Sequence, residues 1–379
     1  MITNWSLEVQ HELLPDLILD VAYVGQHSTH LRTNFDSVNT LTPNNLALGN
    51  LLNDSISSPA AQAAGIKLPY AGFPAAESVG QALVPFPQYF GFNTDGALEN
   101  RGQSTYNALQ TSLRRRFRNG LSLMASYTWS KTLTDADAAL PFFATLHGGG
   151  SAQNPYDLRS EKSISNQDVP HTLVMSYVYD VPVGKGKRFV DKGGAVNKLV
   201  GGWQVGGVQR YQSGQPLSFC CATGGTGFGG YNFRYDLVKG QPIFSQQYLS
   251  GHFDPVTDPM FNTKAFFDPN SPLGPNGYVF GTMSRTIGNV RDPKYVSEDF
   301  NLTKRTHVTE KLDLLLRATA IDAFNRHIFN RSFDLNPAPT NANPQGNCRA
   351  ANINVFGCLD TSATILGPRA LQLEFRIEF

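Results

Sequence analysis

Residues 368–379 read Pro-Arg-Ala-Leu-Gln-Leu-Glu-Phe-Arg-Ile-Glu-Phe. Leu371, Leu373, Phe375, Ile377 and Phe379 are apolar, and Gln372, Glu374, Arg376 and Glu378 stand between them. This strict alternation predicts a strand with one apolar and one polar face. A strand closing a soluble sheet fits the pattern. So does a membrane β-barrel strand with its apolar face on lipid and its polar face in the lumen.

Composition narrows the choice. Charged residues make up 16% of the 379-residue chain, against about 25% in ordinary soluble proteins. The 35 glycines, 23 prolines, 25 phenylalanines and 14 tyrosines point to an all-β chain with many turns. Lysine plus arginine number 31 and aspartate plus glutamate 30, so no net charge favours a nucleic-acid partner. No apolar run approaches the roughly 18 residues of a membrane helix, which leaves alternating strands as the only spanning element to weigh.

The same alternation recurs along the chain. Trp5, Leu7 and Val9 precede a tight turn at Leu14-Pro15-Asp16, and Leu17, Leu19, Val21 and Tyr23 follow it. Leu109, Thr111, Leu113 and Phe117 lead to Asn119-Gly120, a hairpin signal, and to Leu121, Leu123, Ala125, Tyr127 and Trp129. Further strands are predicted over Leu173–Val181, Trp203–Tyr211, Val296–Leu302, with Glu298 an exception, and Leu312–Ala318. With the terminal strand these make nine. Their connections alternate between short ones, near residues 15, 119, 190 and 309, and long ones over 28–103, 133–169, 214–292 and 329–365.

The long connections read as loop, with a short helix near Ala60–Ala64, and loops of that length count against a compact soluble domain. Aromatics sort toward the strand ends: Phe117, Tyr177, Tyr179, Trp203 and Phe379 on the short-turn side, Tyr23, Tyr127, Trp129 and Tyr211 on the long-loop side. Two such belts fit the two interfaces of a membrane. The expected fold is therefore an antiparallel transmembrane β-barrel with long extracellular loops.

Several stretches together resemble one family. They are Trp5-Ser-Leu-Glu-Val-Gln10, Ala22-Tyr-Val-Gly25, Pro85-Phe-Pro-Gln88, Tyr106-Asn-Ala-Leu-Gln110, Ser126-Tyr-Thr-Trp-Ser-Lys131, Gly202-Trp-Gln204, Ala323-Phe-Asn325 and the terminal strand. In that order they resemble the C-terminal barrel region of TonB-dependent outer-membrane receptors of the Oar-like branch. The resemblance implies a roughly 22-stranded plugged barrel in the bacterial outer membrane, importing substrates with energy from the inner membrane.

Residues 1–379 would be part of that barrel. Met1 to Trp5 enter a strand pattern directly, so the signal peptide, regulatory-like domain and plug are expected to be absent from this sequence. The implied partners are outer-membrane lipid, the outer-membrane assembly machinery, the missing plug and strands, and TonB through that missing part. Phe375, Ile377 and Phe379 would form the assembly signal. Two alternatives stand beside this reading: a non-transporting adhesin-like surface barrel, and a soluble all-β carbohydrate-binding protein.

No catalytic or cofactor motif emerges, and no enzyme activity or cofactor is expected. Gly225, Gly227 and Gly230 fit GxGxxG but follow no strand and precede no amphipathic helix. Asp254–Asp258 and Asp268–Asn270 read as Asx turns before calcium sites. Arg114-Arg115-Arg116 sits on an alternating strand and reads as lumen or interface charge. Cys348 and Cys358 share one polar loop and form a candidate disulfide, with free thiols the alternative; Cys220-Cys221 has no evident role. The resemblance implies that the terminal strand ends in the periplasm; strand parity then places residues 15, 119, 184–202 and 310 in the periplasm, and Asn45, His147, Gly229 and Asn343 outside.

Overall fold

The computed structural model describes residues 1–33, 39–89, 99–136, 152–191, 193–219, 222, 231–309, 312–329, 337, 348, 356–359, 361 and 364–379. Cys220, Cys221, the GxGxxG glycines, His147, Gly229, Glu310 and Asn343, with the side chain of Phe117, lie outside them.

Nine strands form one antiparallel meander, each hydrogen-bonded to its neighbours in chain order. They are β1 (Ile2–Leu14), β2 (Leu17–Thr33), β3 (Glu99–Arg118), β4 (Leu121–Thr134), β5 (His171–Asp180), β6 (Trp203–Gln212), β7 (Tyr295–Thr309), β8 (Leu312–Ile321) and β9 (Ala370–Glu378). A short strand, Ser163–Ile164, adds to the upper end of β4. Asn119 and Gly120 have φ of 52° and 80°, the left-handed pair that a tight hairpin turn requires and that Asn-Gly tolerates best.

The register gives each face one character. Directly paired residues of antiparallel strands point the same way. Leu7 pairs with Tyr23, Tyr23 with Leu109, Leu109 with Trp129, and Trp129 with His171. Val205 pairs with Leu302, Leu302 with Ala318, and Ala318 with Leu373. The alternating apolar residues of all nine strands thus lie on one surface. The other surface is mainly polar, with Met124, Val174, Val178 and Val208 among its exposed apolar residues. There Asp20 accepts from Gln10 at 2.6 Å, Ser112 at 2.9 Å and Arg114 at 2.7 Å, joining three strands.

Many strands run longer than the alternation indicates. β3 has 20 residues. At about 3.3 Å each and a tilt near 40° it rises roughly 50 Å, about twice the apolar band of a membrane barrel. The surplus lies on the long-loop side, where β2 continues to Thr33 and β3 starts at Glu99.

The long connections carry the short helix expected near Ala60–Ala64 and, elsewhere, correct the expectation of structureless loop. They carry a 3-10 segment over Pro43–Asn53, helices over Pro59–Ala63 and Val79–Ala82, and two small antiparallel pairs. One core joins Leu217, Phe219, Tyr235, Phe261, Phe266 and Ile287 to Phe356 and Leu359 from the last connection. A second packs Leu41, Leu46, Leu52 and Val79 of the first connection against Phe233 and Tyr278 of the third. Apolar residues far apart in sequence are therefore buried together above the sheet, a burial that stabilises by roughly 25 cal/mol per Å² of apolar surface. These connections form a packed cap.

Candidate functional site

Two features can act: the apolar surface of the sheet and the cap. The aromatics of the apolar surface carry satisfied polar tips. The Tyr23 hydroxyl donates to Asn107 Oδ1 at 2.7 Å, and Tyr127 Oη lies 2.8 Å from His171 Nδ1. The Tyr211 hydroxyl donates to Glu298 at 3.1 Å, and Trp203 Nε1 donates to the Leu199 carbonyl at 3.3 Å. Apolar rings with a paired polar tip suit a boundary between lipid and water.

Tyr127 and Tyr211 share a row through Leu173, while Tyr23 and Trp129 share one through Leu109. Trp203 shares a row with Phe375 through Lys304 and Leu316. Tyr177 and Tyr179 lie near the turn-side end of β5. Trp203 and Tyr211 are eight residues apart on β6, about 26 Å along the strand and about 20 Å in height after tilt.

Two charges on this surface need their own account. Glu298 is 5% exposed, and its carboxylate is held by Tyr211 and by Arg326 at 2.9 and 3.2 Å. Arg326 follows β8 in space beside β7 but lies 28 residues away in sequence, so no local pattern marks it as the partner of this exception. Lys304 donates from Nζ to the Gly201 carbonyl and stands 5.6 Å over the Trp203 ring. It reaches past the end of the apolar band, as long cationic side chains do.

Among the described residues, β9 pairs only with β8, and β1 only with β2. Leu371, Leu373, Phe375, Ile377 and Phe379 are 70, 84, 60, 50 and 102% exposed. Among the described residues both edges of the sheet are unpaired and nothing covers its apolar surface along β9.

The cap is fastened by a buried polar cluster. Glu161 and Arg234 form an ion pair with side chains 1% and 6% exposed. Gln153 donates from its backbone to Glu161 at 2.9 Å and from its amide to the Gly281 carbonyl at 2.9 Å; its amide oxygen accepts from the backbones of Arg234 at 2.8 Å and Gly281 at 3.1 Å. A Cβ at Gly281 would stand 1.9 Å from the Arg234 carbonyl, so the close approach requires glycine. Arg285 donates to the Glu161 carbonyl at 3.2 Å and to the Thr134 carbonyl at 2.7 Å, tying the cap to β4.

Burial pulls the Arg234 guanidinium below its ordinary pKa, and Glu161 beside it pushes back. Burial raises the Tyr231 and Tyr156 hydroxyls, which donate to the carbonyls of Leu41 and Thr40. These bonds hold the cap's parts together and to β4.

Cys348 and Cys358 lie within the cap as a bonded pair, with Cα atoms 5.4 Å apart. The Cys348 amide donates to the Thr257 carbonyl at 3.1 Å, and the Met260 amide to the Gly357 carbonyl at 2.8 Å, so the pair brings the last connection onto the third. The aspartate motifs are Asx turns: Asp254 Oδ1 accepts from the Val256 amide and Asp268 Oδ1 from the Asn270 amide, each at 2.9 Å. Among the described residues no group of side chains could hold a metal ion.

A meander with one continuous apolar surface, one polar surface and long connections on one side defines the wall of a membrane β-barrel. The chain belongs to the outer membrane beta barrel domain family, whose model matches residues 1–372, and its place is the bacterial outer membrane. No curated protein matches the sequence. Among solved structures the chain is similar to the outer membrane transporter YddB from Escherichia coli (TM-score 0.41, 8% identity, 100% of this chain and 32% of that one). It is also similar to P. aeruginosa FpvA solved with heterologous pyoverdines (TM-score 0.36, 11% identity, 100% and 27%) and to FpvAI in complex with pyocin S2 (0.37, 12%, 100% and 26%). The chain thus spans a third or less of the length of these structures.

Proposed function

We propose that this chain is wall and outer cap of a TonB-dependent outer-membrane receptor of the Oar-like branch, which takes up a substrate across the outer membrane. The observation that carries the reading is the pairing of a spanning wall, polar on its inner surface, with a cap folded from all four long connections. Such a wall suits a hydrated or plugged lumen, and such a cap suits capture at its mouth. The family resemblance of stretches from Trp5 to Phe379 supplies the receptor class. In this reading Tyr23, Phe117, Tyr127, Trp129, Tyr177, Tyr179, Trp203 and Tyr211 are interfacial aromatics. Phe375, Ile377 and Phe379 are the assembly signal, and Cys348–Cys358 is an extracellular disulfide.

The open edges at β1 and β9 call for further strands, because unpaired backbone groups in lipid cost several kcal/mol each. Residues 1–379 expressed and refolded in detergent are therefore expected to yield no closed, heat-modifiable monomer. Recovery of one by gel shift would refute the need for added strands. A surface-binding barrel is the second reading, favoured by a cap with its own buried core. Uptake profiling across iron chelates, oligosaccharides and cobalamins separates the two. A receptor deletion and a TonB deletion should lose the same nutrient. Lost surface binding with every uptake intact would overturn the receptor reading.

A further inference from the structure

We propose that the connection between β5 and β6 is a membrane-surface anchor that takes the anionic phospholipid headgroups of the periplasmic leaflet; it rests on the sidedness assigned above. The connection runs from Val181 to Gly202. Lys185, Lys187, Arg188 and Lys198 are all exposed, and Asp191 beside them is engaged by the Gly186 amide at 2.6 Å. The same stretch exposes Phe189 by 51%, Val190 by 48%, Val196 by 42% and Leu199 by 74%. The helix Gly194–Val200 buries no residue. A water-facing link has no use for four exposed apolar side chains among four cations. An interfacial segment needs both.

The helix is also oriented correctly. Asn197 and Lys198 line a cleft of about 430 Å³ with Gln204, Thr303 and Arg305, all on the polar surface of the sheet. Asn197 Oδ1 accepts from the Lys185 amide at 2.7 Å, which fixes that side. At about 100° per residue, Val196 and Leu199 point roughly 150° away from the centre of the Asn197–Lys198 side. That direction is the apolar surface, where Trp203 donates to the Leu199 carbonyl at 3.3 Å and Lys304 covers the Trp203 ring. The apolar side of the helix is thus continuous with the lipid-facing belt, at the end of the strands where headgroups lie. Lys185 and Arg188, which do not line the cleft, are attracted there to an anionic leaflet, each contributing on the order of a factor of five in affinity.

The test is a nitroxide at Leu199→Cys in the full-length protein, native cysteines replaced, reconstituted in vesicles of phosphatidylcholine alone or with an equal part of phosphatidylglycerol. The ratio of oxygen to nickel-chelate accessibility is expected to rise several-fold with phosphatidylglycerol. Changing Lys185 and Arg188 together to Gln should abolish the rise. A water-exposed label in both vesicles would overturn the proposal. So would a label shielded from both reagents, since that indicates a protein cover. Labelling of Leu199→Cys on intact cells by an impermeant reagent would overturn the periplasmic assignment instead, independently of lipid contact.

Discussion

Arg234→Met should open the outer cap while leaving the sheet in the membrane. The substitution keeps the bulk of the side chain but leaves the Glu161 carboxylate, 1% exposed, without its cation. Stranding one partner of a buried pair costs about 3–5 kcal/mol. The cap has its own cores, whereas the wall is held by ladders and lipid, so the loss should appear locally. Trypsin added to intact cells should then cleave at Lys239 and Lys264, sites in the capped third connection, far faster than in the parent protein. Outer-membrane levels should be unchanged. Pairing Arg234→Met with Glu161→Leu removes the stranded charge and should restore much of the protection, because well-packed apolar residues often replace a buried ion pair at little cost. Equal cleavage of parent and single variant would show that the ion pair does not hold the cap.

Phe379→Ser should lower outer-membrane levels on the order of tenfold. Phe379 is 102% exposed and so contributes nothing to packing within the chain, while β9 offers an unpaired edge. A strand with a free edge and alternating apolar side chains is a template for strand addition, with the backbone giving affinity and the side chains giving specificity. An aromatic anchor in such a contact is typically worth about 2 kcal/mol or more, over tenfold in binding. The effect should therefore fall on assembly, measured as protein in purified outer membranes. The fraction that does assemble should keep the heat stability of the parent. Normal levels of the variant would remove Phe379 from the assembly signal; normal levels with lowered stability would give it a packing role.

The wall was largely legible in the sequence and the cap was not, for physical reasons. Lipid on one side and water on the other force period-two alternation, so Leu121 to Trp129 or Leu371 to Phe379 announce their strand and face directly. Beyond the bilayer that force ends. The outer parts of β2 and β3, such as Gln26–Thr33 and Glu99–Ser104, are strand by pairing alone, and their residues carry no alternation to read. Phe219, Phe261, Phe266 and Phe356 pack ring against ring from three separated stretches of the chain, with centroids 4.6–5.9 Å apart. No local period marks such a core. Glu298 was visible as an exception on an apolar face, but its partner Arg326 became evident only when β8 lay beside β7.

Sidedness ties the wall, the cap and the anchor together, and cysteine labelling of intact cells tests it most directly. Single cysteines in the full-length protein, native cysteines removed, would be treated with a membrane-impermeant maleimide. Asn45 and Gln247 lie in the cap on the long-connection side, and Asn119 and Lys187 in short connections at the opposite ends of the strands. Asn45→Cys and Gln247→Cys should label on intact cells, while Asn119→Cys and Lys187→Cys should label only after the outer membrane is broken. Labelling of Asn119→Cys and Lys187→Cys on intact cells, with the two cap positions silent, would contradict the account.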